Sequence, residues 1–329
     1  MRWKLLGVAL VTSACLAISL RGAEPGAVVA AWRGLEPWRL LLVLVLHLVV
    51  LAIRTLRFRH LVTTKPAFGS LLPVMGASFL AINVVPLRMG ELVRPYLLSQ
   101  RGVPFADAAL AVVIERLLDL VALLVLVLVA TSWVDAPGWA GRELHVLGVD
   151  VVVLGRAAVA SSVALGLVAL GAAHRLARAT RGAQPEAASA WRRTLRRLDD
   201  AFVGLGARSP RDVAVVVLCT VGSWVGSLLA CGLTMGGFPT LEVSAASTLV
   251  CWAATVSAVV LVPTPGFVGS FEAGAVGALV LLGRDADAAR AFALALHGIQ
   301  LGATLLAGAV GFAVLGVGLP AVVRASRAR

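Results

Sequence analysis

Asn83-Val84-Val85-Pro86-Leu87-Arg88-Met89-Gly90-Glu91-Leu92-Val93-Arg94-Pro95 stands between two apolar stretches, residues 68–85 and 106–131, and its reading decides the fold. Proline and glycine break a helix and free backbone groups, while Asn83, Arg88, Glu91 and Arg94 supply polar partners. A charged side chain near the bilayer centre costs about 2.5–3.5 kcal/mol on insertion scales, so several within one motif need compensation or a purpose. Two arrangements fit. One is a cytoplasmic surface loop in which Arg88 and Glu91 neutralise each other. The other is a hairpin that enters the membrane and turns back. Its return limb, residues 92–100, is too short to span, and irregular backbone at membrane depth is tolerated where protein or a wet cavity covers it. The hairpin is the more economical arrangement.

The surrounding chain explains why a membrane is invoked at all. Of 329 residues, 60% are hydrophobic and only 14% charged, and the mean hydropathy is +0.95. Apolar segments fall near residues 5–20, 38–56, 68–85, 106–131, 149–172, 211–235, 242–262, 267–283 and 288–319. About 20 apolar residues cross the roughly 30 Å of hydrocarbon. The longest polar interval, residues 174–212, leaves no room for a soluble catalytic domain. A water-soluble enzyme and a single-pass receptor are both excluded.

The formal net charge of +12 reads as topology rather than nucleic-acid binding, because the basic residues flank apolar segments. Residues 54–65 carry Arg54, Arg57, Arg59 and Lys65 without an acid, and residues 174–212 carry nine arginines against four acids. Both intervals are expected in the cytoplasm, with the N-terminus (Arg2, Lys4) and the C-terminus (Arg324, Arg327, Arg329). Residues 132–148, with Asp135, Glu143 and the interfacial Trp133 and Trp139, belong outside. Residues 5–20 read as an uncleaved signal anchor.

Parity then constrains the count. Residues 67–105 begin and end inside, and residues 242–283, broken at Pro263-Thr-Pro-Gly-Phe-Val-Gly269, begin and end outside. Hairpins in both places make the halves correspond as span, broken hairpin, span. The first half-repeat covers 38–131 and the second 211–319, in inverted orientation, joined by an amphipathic cytoplasmic linker at 174–210. The expected fold is an all-α polytopic bundle of about six full spans plus two re-entrant hairpins. Paired spans, giving eight or nine crossings, satisfy parity equally. Paired Gly/Pro-interrupted segments in inverted repeats point to a transporter's midplane site.

Within the linker, Trp191, Leu195, Leu198, Phe202 and Leu205 recur at helical spacing between arginines, the pattern of a helix lying in the inner headgroup layer. Ser209-Pro210 with Asp212 supplies a cap, a proline at the first helical position and an acid in the first turn. Glu115 and Asp119 share one helix face and Arg116 points elsewhere; an interfacial charged turn is the plain alternative. Pro265, Gly266 and Gly269 precede a helix that carries Glu272, and the amides at such a start can hold a phosphate oxygen. His47 and His297 read as interhelical hydrogen bonders, and Gly298 with Gly302 as a close helix contact. Cys15, Cys219, Cys231 and Cys251 lie in apolar segments without metal-ligand spacing, and no metal or cofactor is expected.

Asn83-x-x-Pro86-x-Arg88-x-Gly90-Glu91-x-x-Arg94, then Glu115-Arg116-x-x-Asp119, then Pro263-x-Pro-Gly-x-x-Gly-x-x-Glu272 resemble the flippase-like transmembrane region of the lysylphosphatidylglycerol synthetase family. The resemblance covers essentially the whole chain. The second motif reads Pro-Gly-Phe where a glycine pair stands in the family. The resemblance implies movement of aminoacylated or glycosylated phospholipids across the cytoplasmic membrane, without the soluble aminoacyl transferase domain. In that reading Arg88, Arg94 and Arg116 hold a lipid phosphate, and Glu91, Glu115, Asp119 and Glu272 offset those charges, favour a cationic or sugar head, or carry a proton. The expected partners are membrane lipids, with a separate transferase or a second copy of the chain as further possibilities and no nucleic acid. The rival reading is a membrane-embedded lipid-modifying transferase with Glu91 or Asp119 as base.

Overall fold

A computed structural model of the chain describes residues 25–84, 90–134, 145–146, 149–178, 196, 199–200, 203–204 and 206–317. The expected anchor at 5–20, the Pro86 and Arg88 positions, most of the outer loop after 134, most of the amphipathic linker and the basic C-terminus lie outside these residues. The architecture is an all-α polytopic bundle. Its helices are α1 (Pro25–Arg33), α2 (Pro37–Leu61), α3 (Phe68–Val84), α4 (Val93–Ser99), α5 (Phe105–Val134), α6 (Val151–Arg178), α7 (Pro210–Met235), α8 (Ala245–Leu261), α9 (Ser270–Leu281) and α10 (Ala286–Leu315). A two-residue antiparallel pair, β1 (His145–Val146) and β2 (Val149–Asp150), precedes α6.

Helix length sorts these elements. At 1.5 Å per residue, α2, α5, α6, α7 and α10 run for about 37 Å or more, whereas α3 and α8 reach about 25 Å and α4 and α9 less. Among the described residues α2, α7 and α10 are long and apolar enough to cross a bilayer by length and composition. Their outer faces are aliphatic, with Leu41, Leu218 and Val314 each more than half exposed. Such exposure along whole helices is what lipid, not water, would cover.

The chain reverses between α2 and α7, which pack side by side in opposite directions. At one end Lys65 Nζ and His60 Nδ1 each lie 2.7 Å from Asp212 Oδ1, and Arg208 donates to the carbonyls of Leu61 and Val62. At the other, Arg39 Nη1 reaches the Leu233 carbonyl at 3.4 Å. Ser209 caps α7 by accepting from the Asp212 amide, with Pro210 at the first helical position, as the local sequence requires.

Glycine brings α3 and α10 into backbone contact. A Cβ on Gly76 would stand 2.4 Å from the Ala307 carbonyl oxygen, and one on Gly311 would stand 2.4 Å from that of Pro73. This corrects one expectation: a Cβ on Gly298 or Gly302 meets nothing within 4 Å, so the close packing lies further along the helix, at Ala307, Gly308 and Gly311.

Contacts between elements follow a regular exchange. α2 packs on α7; α3 packs on α10 while α5 packs on α8; α3 meets α4 while α8 meets α9; α4 meets α5 while α9 meets α10. One apolar core gathers residues of α5, α7, α8, α9 and α10 around Trp252, Phe271 and Phe292. A second gathers α2, α3, α4 and α5 around Phe58, Leu71 and Met75.

Candidate functional site

Arg94, Glu115 and Asp119, three of the charges singled out in the sequence, meet in one cluster with Arg57. Glu115 and Asp119, one turn apart on α5, face α2, where Arg57 is fully buried. Arg57 Nη2 donates to Glu115 Oε1 at 2.8 Å, and Nη1 donates to Asp119 Oδ1 at 2.7 Å. Arg94, on α4 and 2% exposed, donates to the other oxygen of Glu115. Its guanidinium also lies over Phe58 and Phe79, with ring centroids at 4.8 and 5.2 Å. A single carboxylate thus receives two buried cations, each with its own further partner, which is the arrangement that makes buried charge tolerable. Arg116, pointing away from its neighbours, pairs with Glu91 at 3.1 Å.

Beside this cluster is a cavity of about 540 Å³. Arg54, Glu91, Arg116 and Asp119 form its charged side; His47, Asn83, Ser162, Ser227, Thr255, Gln300 and Thr304 add polar groups; Phe79, Trp224, Trp252, Phe267 and Phe271 supply aromatic wall. Among the described residues, every charged lining residue comes from the first half of the chain. The second half contributes hydroxyls, an amide and apolar surface. A volume of this order suits a small organic ligand or a lipid head group.

The second break has a different chemistry. Residues 265–267 form a single 3₁₀ turn against the end of α3, with Gly266 at φ +59° and Phe267 at φ +60°. Gly269, at φ +85°, starts α9, and its amide donates to Glu272 Oε2 at 2.7 Å. The expectation that Gly269 presents its amide to a phosphate oxygen is therefore corrected: that amide is capped by the carboxylate three residues on. Glu272 Oε1 lies 2.6 Å from His297 Nδ1, and His297 Nε2 donates to the Gly266 carbonyl at 2.9 Å. A carbonyl only accepts, so Nε2 carries a proton, and one further proton is shared between Nδ1 and Glu272. Phe271 stacks on the imidazole at 4.5 Å.

The expected site residues therefore divide. Asn83, Glu91, Arg116 and Asp119 line the cavity. Arg94 and Glu115 lie behind that wall, locked to each other and to Arg57. Gly90 permits close approach, since a Cβ there would stand 2.4 Å from the Ala81 backbone. Pro265, Gly266, Gly269 and Glu272 belong to the tied turn, which reaches the cavity through Phe267 and Phe271.

The sequence profile of the lysylphosphatidylglycerol synthase TM region matches residues 4–308. The chain belongs to this family. Searches of curated proteins and of solved structures return no match. Membership of the lysylphosphatidylglycerol synthase TM region, with the apolar helices, makes the protein a multi-pass membrane protein of a lipid-related family.

Arg54 and Arg57 are the residues that sequence reasoning missed. Their charge, in an interval without acids, assigns them to a cytoplasmic loop, yet α2 continues through them to Leu61. The signal available was the lack of any proline or glycine between Pro37 and Pro66 other than Pro37 itself.

Proposed function

We propose that this protein is a lipid translocator of the cytoplasmic membrane that passes a phospholipid or modified lipid head group through the central cavity. The carrying observation is a cavity lined by four charged side chains together with aromatic and aliphatic surface, inside helices whose outer faces are aliphatic. A head group crossing bare hydrocarbon loses its water without replacement, and a polar cavity supplies substitute partners. At about 540 Å³ the space accommodates a head group while acyl chains remain in the surrounding lipid.

The proposed division of labour follows from the contacts. Asn83, Glu91, Arg116 and Asp119 meet the head group. Arg57, Arg94 and Glu115 position them by fixing α2, α4 and α5 to one another. The two interrupted segments act as re-entrant hairpins of inverted repeats. Support comes from the exchange of contacts between α2–α5 and α7–α10, and from paired helix lengths of 25 and 26, 17 and 17, and 30 and 30 residues. Both termini face the cytoplasm, in keeping with the basic cluster of Arg208, Lys65 and His60 at one end of the bundle.

Lipid analysis of membranes from cells lacking the protein tests this against lipid modification. Translocation leaves every lipid species present and displaces one to the wrong leaflet. Loss of a species with unchanged leaflet distribution of the rest identifies a synthetic step and contradicts the proposal.

A further inference from the structure

Among the described residues, the cavity wall and the ion-pair cluster behind it together hold four guanidinium groups against three carboxylates. Arg57 and Arg94 neutralise Asp119 and Glu115, and Arg116 neutralises Glu91. Arg54 is left over. It lines the cavity from α2, one turn before Arg57, and makes no hydrogen bond or ion pair among the described residues; its Nε has no partner there. Its guanidinium carbon lies 5.8 Å from the centroid of the Phe79 ring. The nearest candidate acid, Asp119, already receives Arg57 through both oxygens, at 2.7 and 3.2 Å. A guanidinium presents five donors in a planar fork suited to two oxygens of one phosphate.

We infer that Arg54 is the anion anchor of the cavity, binding the phosphodiester of a lipid head, while Arg94 serves Glu115 behind the wall and Arg116 meets the head group as half of its ion pair with Glu91. This rests on the translocator reading and narrows it. The ligand carries one uncompensated negative charge at its phosphate, which makes the occupied cluster neutral, and an apolar or sugar-like remainder can lie against Trp224 and Trp252. A lipid whose own head cancels the phosphate with a fixed quaternary ammonium gains less from the same site.

The test is binding to the full-length protein in detergent, read by native mass spectrometry. The probes are short-chain phosphatidylglycerol, short-chain phosphatidylcholine and glycerol phosphate. Wild type should favour phosphatidylglycerol over phosphatidylcholine by about tenfold or more, the usual worth of a charge-assisted pair. Arg54→Gln should abolish that preference, weakening phosphatidylglycerol by about tenfold and phosphatidylcholine by less; Arg54→Lys should keep part of it. Arg59→Gln, a residue bonded to the Pro66 carbonyl outside the cavity, should change nothing. If Arg54→Gln fails to fold, wild type is treated with phenylglyoxal, and phosphatidylglycerol should protect Arg54 at least several-fold. An undiminished preference in Arg54→Gln, or no protection in wild type, overturns the assignment and leaves the translocator reading standing. Glycerol phosphate binding as tightly as the lipid assigns the anchor to soluble phosphate esters and overturns the lipid part. Wild type that binds neither lipid contradicts the translocator reading and the inference together.

Discussion

Replacing Glu115 by glutamine keeps the shape of the side chain and removes one charge from the centre of the arginine cluster. Arg57 still has Asp119 at 2.7 Å, so it keeps a carboxylate. Arg94 does not: it is 2% exposed and Glu115 is its ion-pair partner. An uncompensated buried charge costs about 3–5 kcal/mol. The rings of Phe58 and Phe79 recover about 0.5–2 kcal/mol of that. Glu115→Gln should therefore lose about 1–4.5 kcal/mol of stability. The cavity wall should change little, because the remaining carboxylate at that end, Asp119, stays paired. The two arginines and two acids sum to zero in wild type and to +1 in the variant. Adding Arg94→Met returns the sum to zero and fills the volume with apolar atoms, a change that is often neutral or stabilising. Unfolding in mixed micelles, followed by far-UV circular dichroism, measures all four corners of this cycle. The double variant should recover most of the loss. A double variant no more stable than Glu115→Gln, or a single variant within about 0.5 kcal/mol of wild type, refutes the charge-balance reasoning.

Gly76→Val and Gly311→Leu should prevent α3 and α10 from packing, because a Cβ at either place sits 2.4 Å from a backbone oxygen. Gly298→Ala and Gly302→Ala meet open space and should be neutral or stabilise by up to about 1 kcal/mol through helix propensity; the same unfolding measurement separates the two groups. His297→Ala removes the tie between α10 and the Gly266 carbonyl and should cost about 1–3 kcal/mol, with faster deuterium exchange confined to residues near 263–270; uniform exchange across the bundle would count against a local tie. Cysteines at Leu92 and Val268 should label from opposite sides of the membrane if the interrupted segments are inverted hairpins, and same-side labelling would remove that arrangement.

Local grammar carried most of the helix pattern. The breaks at 83–95 and 263–269, the cap at Ser209 and the long run that became α5 are each written in a few neighbouring residues. The charge cluster is not written that way. Arg57 lies 58 residues from Glu115 and 62 from Asp119, and no spacing in one sequence joins them. Charge counting also misled at Arg54 and Arg57, because an arginine near a helix end can turn inward, to a cavity as Arg54 does or to a carboxylate as Arg57 does, as readily as outward to lipid heads. The sequence marks His297 as an interhelical hydrogen bonder. Its bond to a backbone carbonyl exists because Gly266 takes a left-handed conformation, which Pro265-Gly266 permits but does not require.

Leaflet exchange of a fluorescent anionic lipid in proteoliposomes tests the central claim most directly. Wild type should accelerate exchange over protein-free vesicles, and Ser227→Trp, which fills the cavity from α7, should return it to the protein-free rate while retaining fold and reconstitution. Exchange at the protein-free rate for wild type across a panel of lipids, or undiminished exchange in Ser227→Trp, would contradict passage through the cavity.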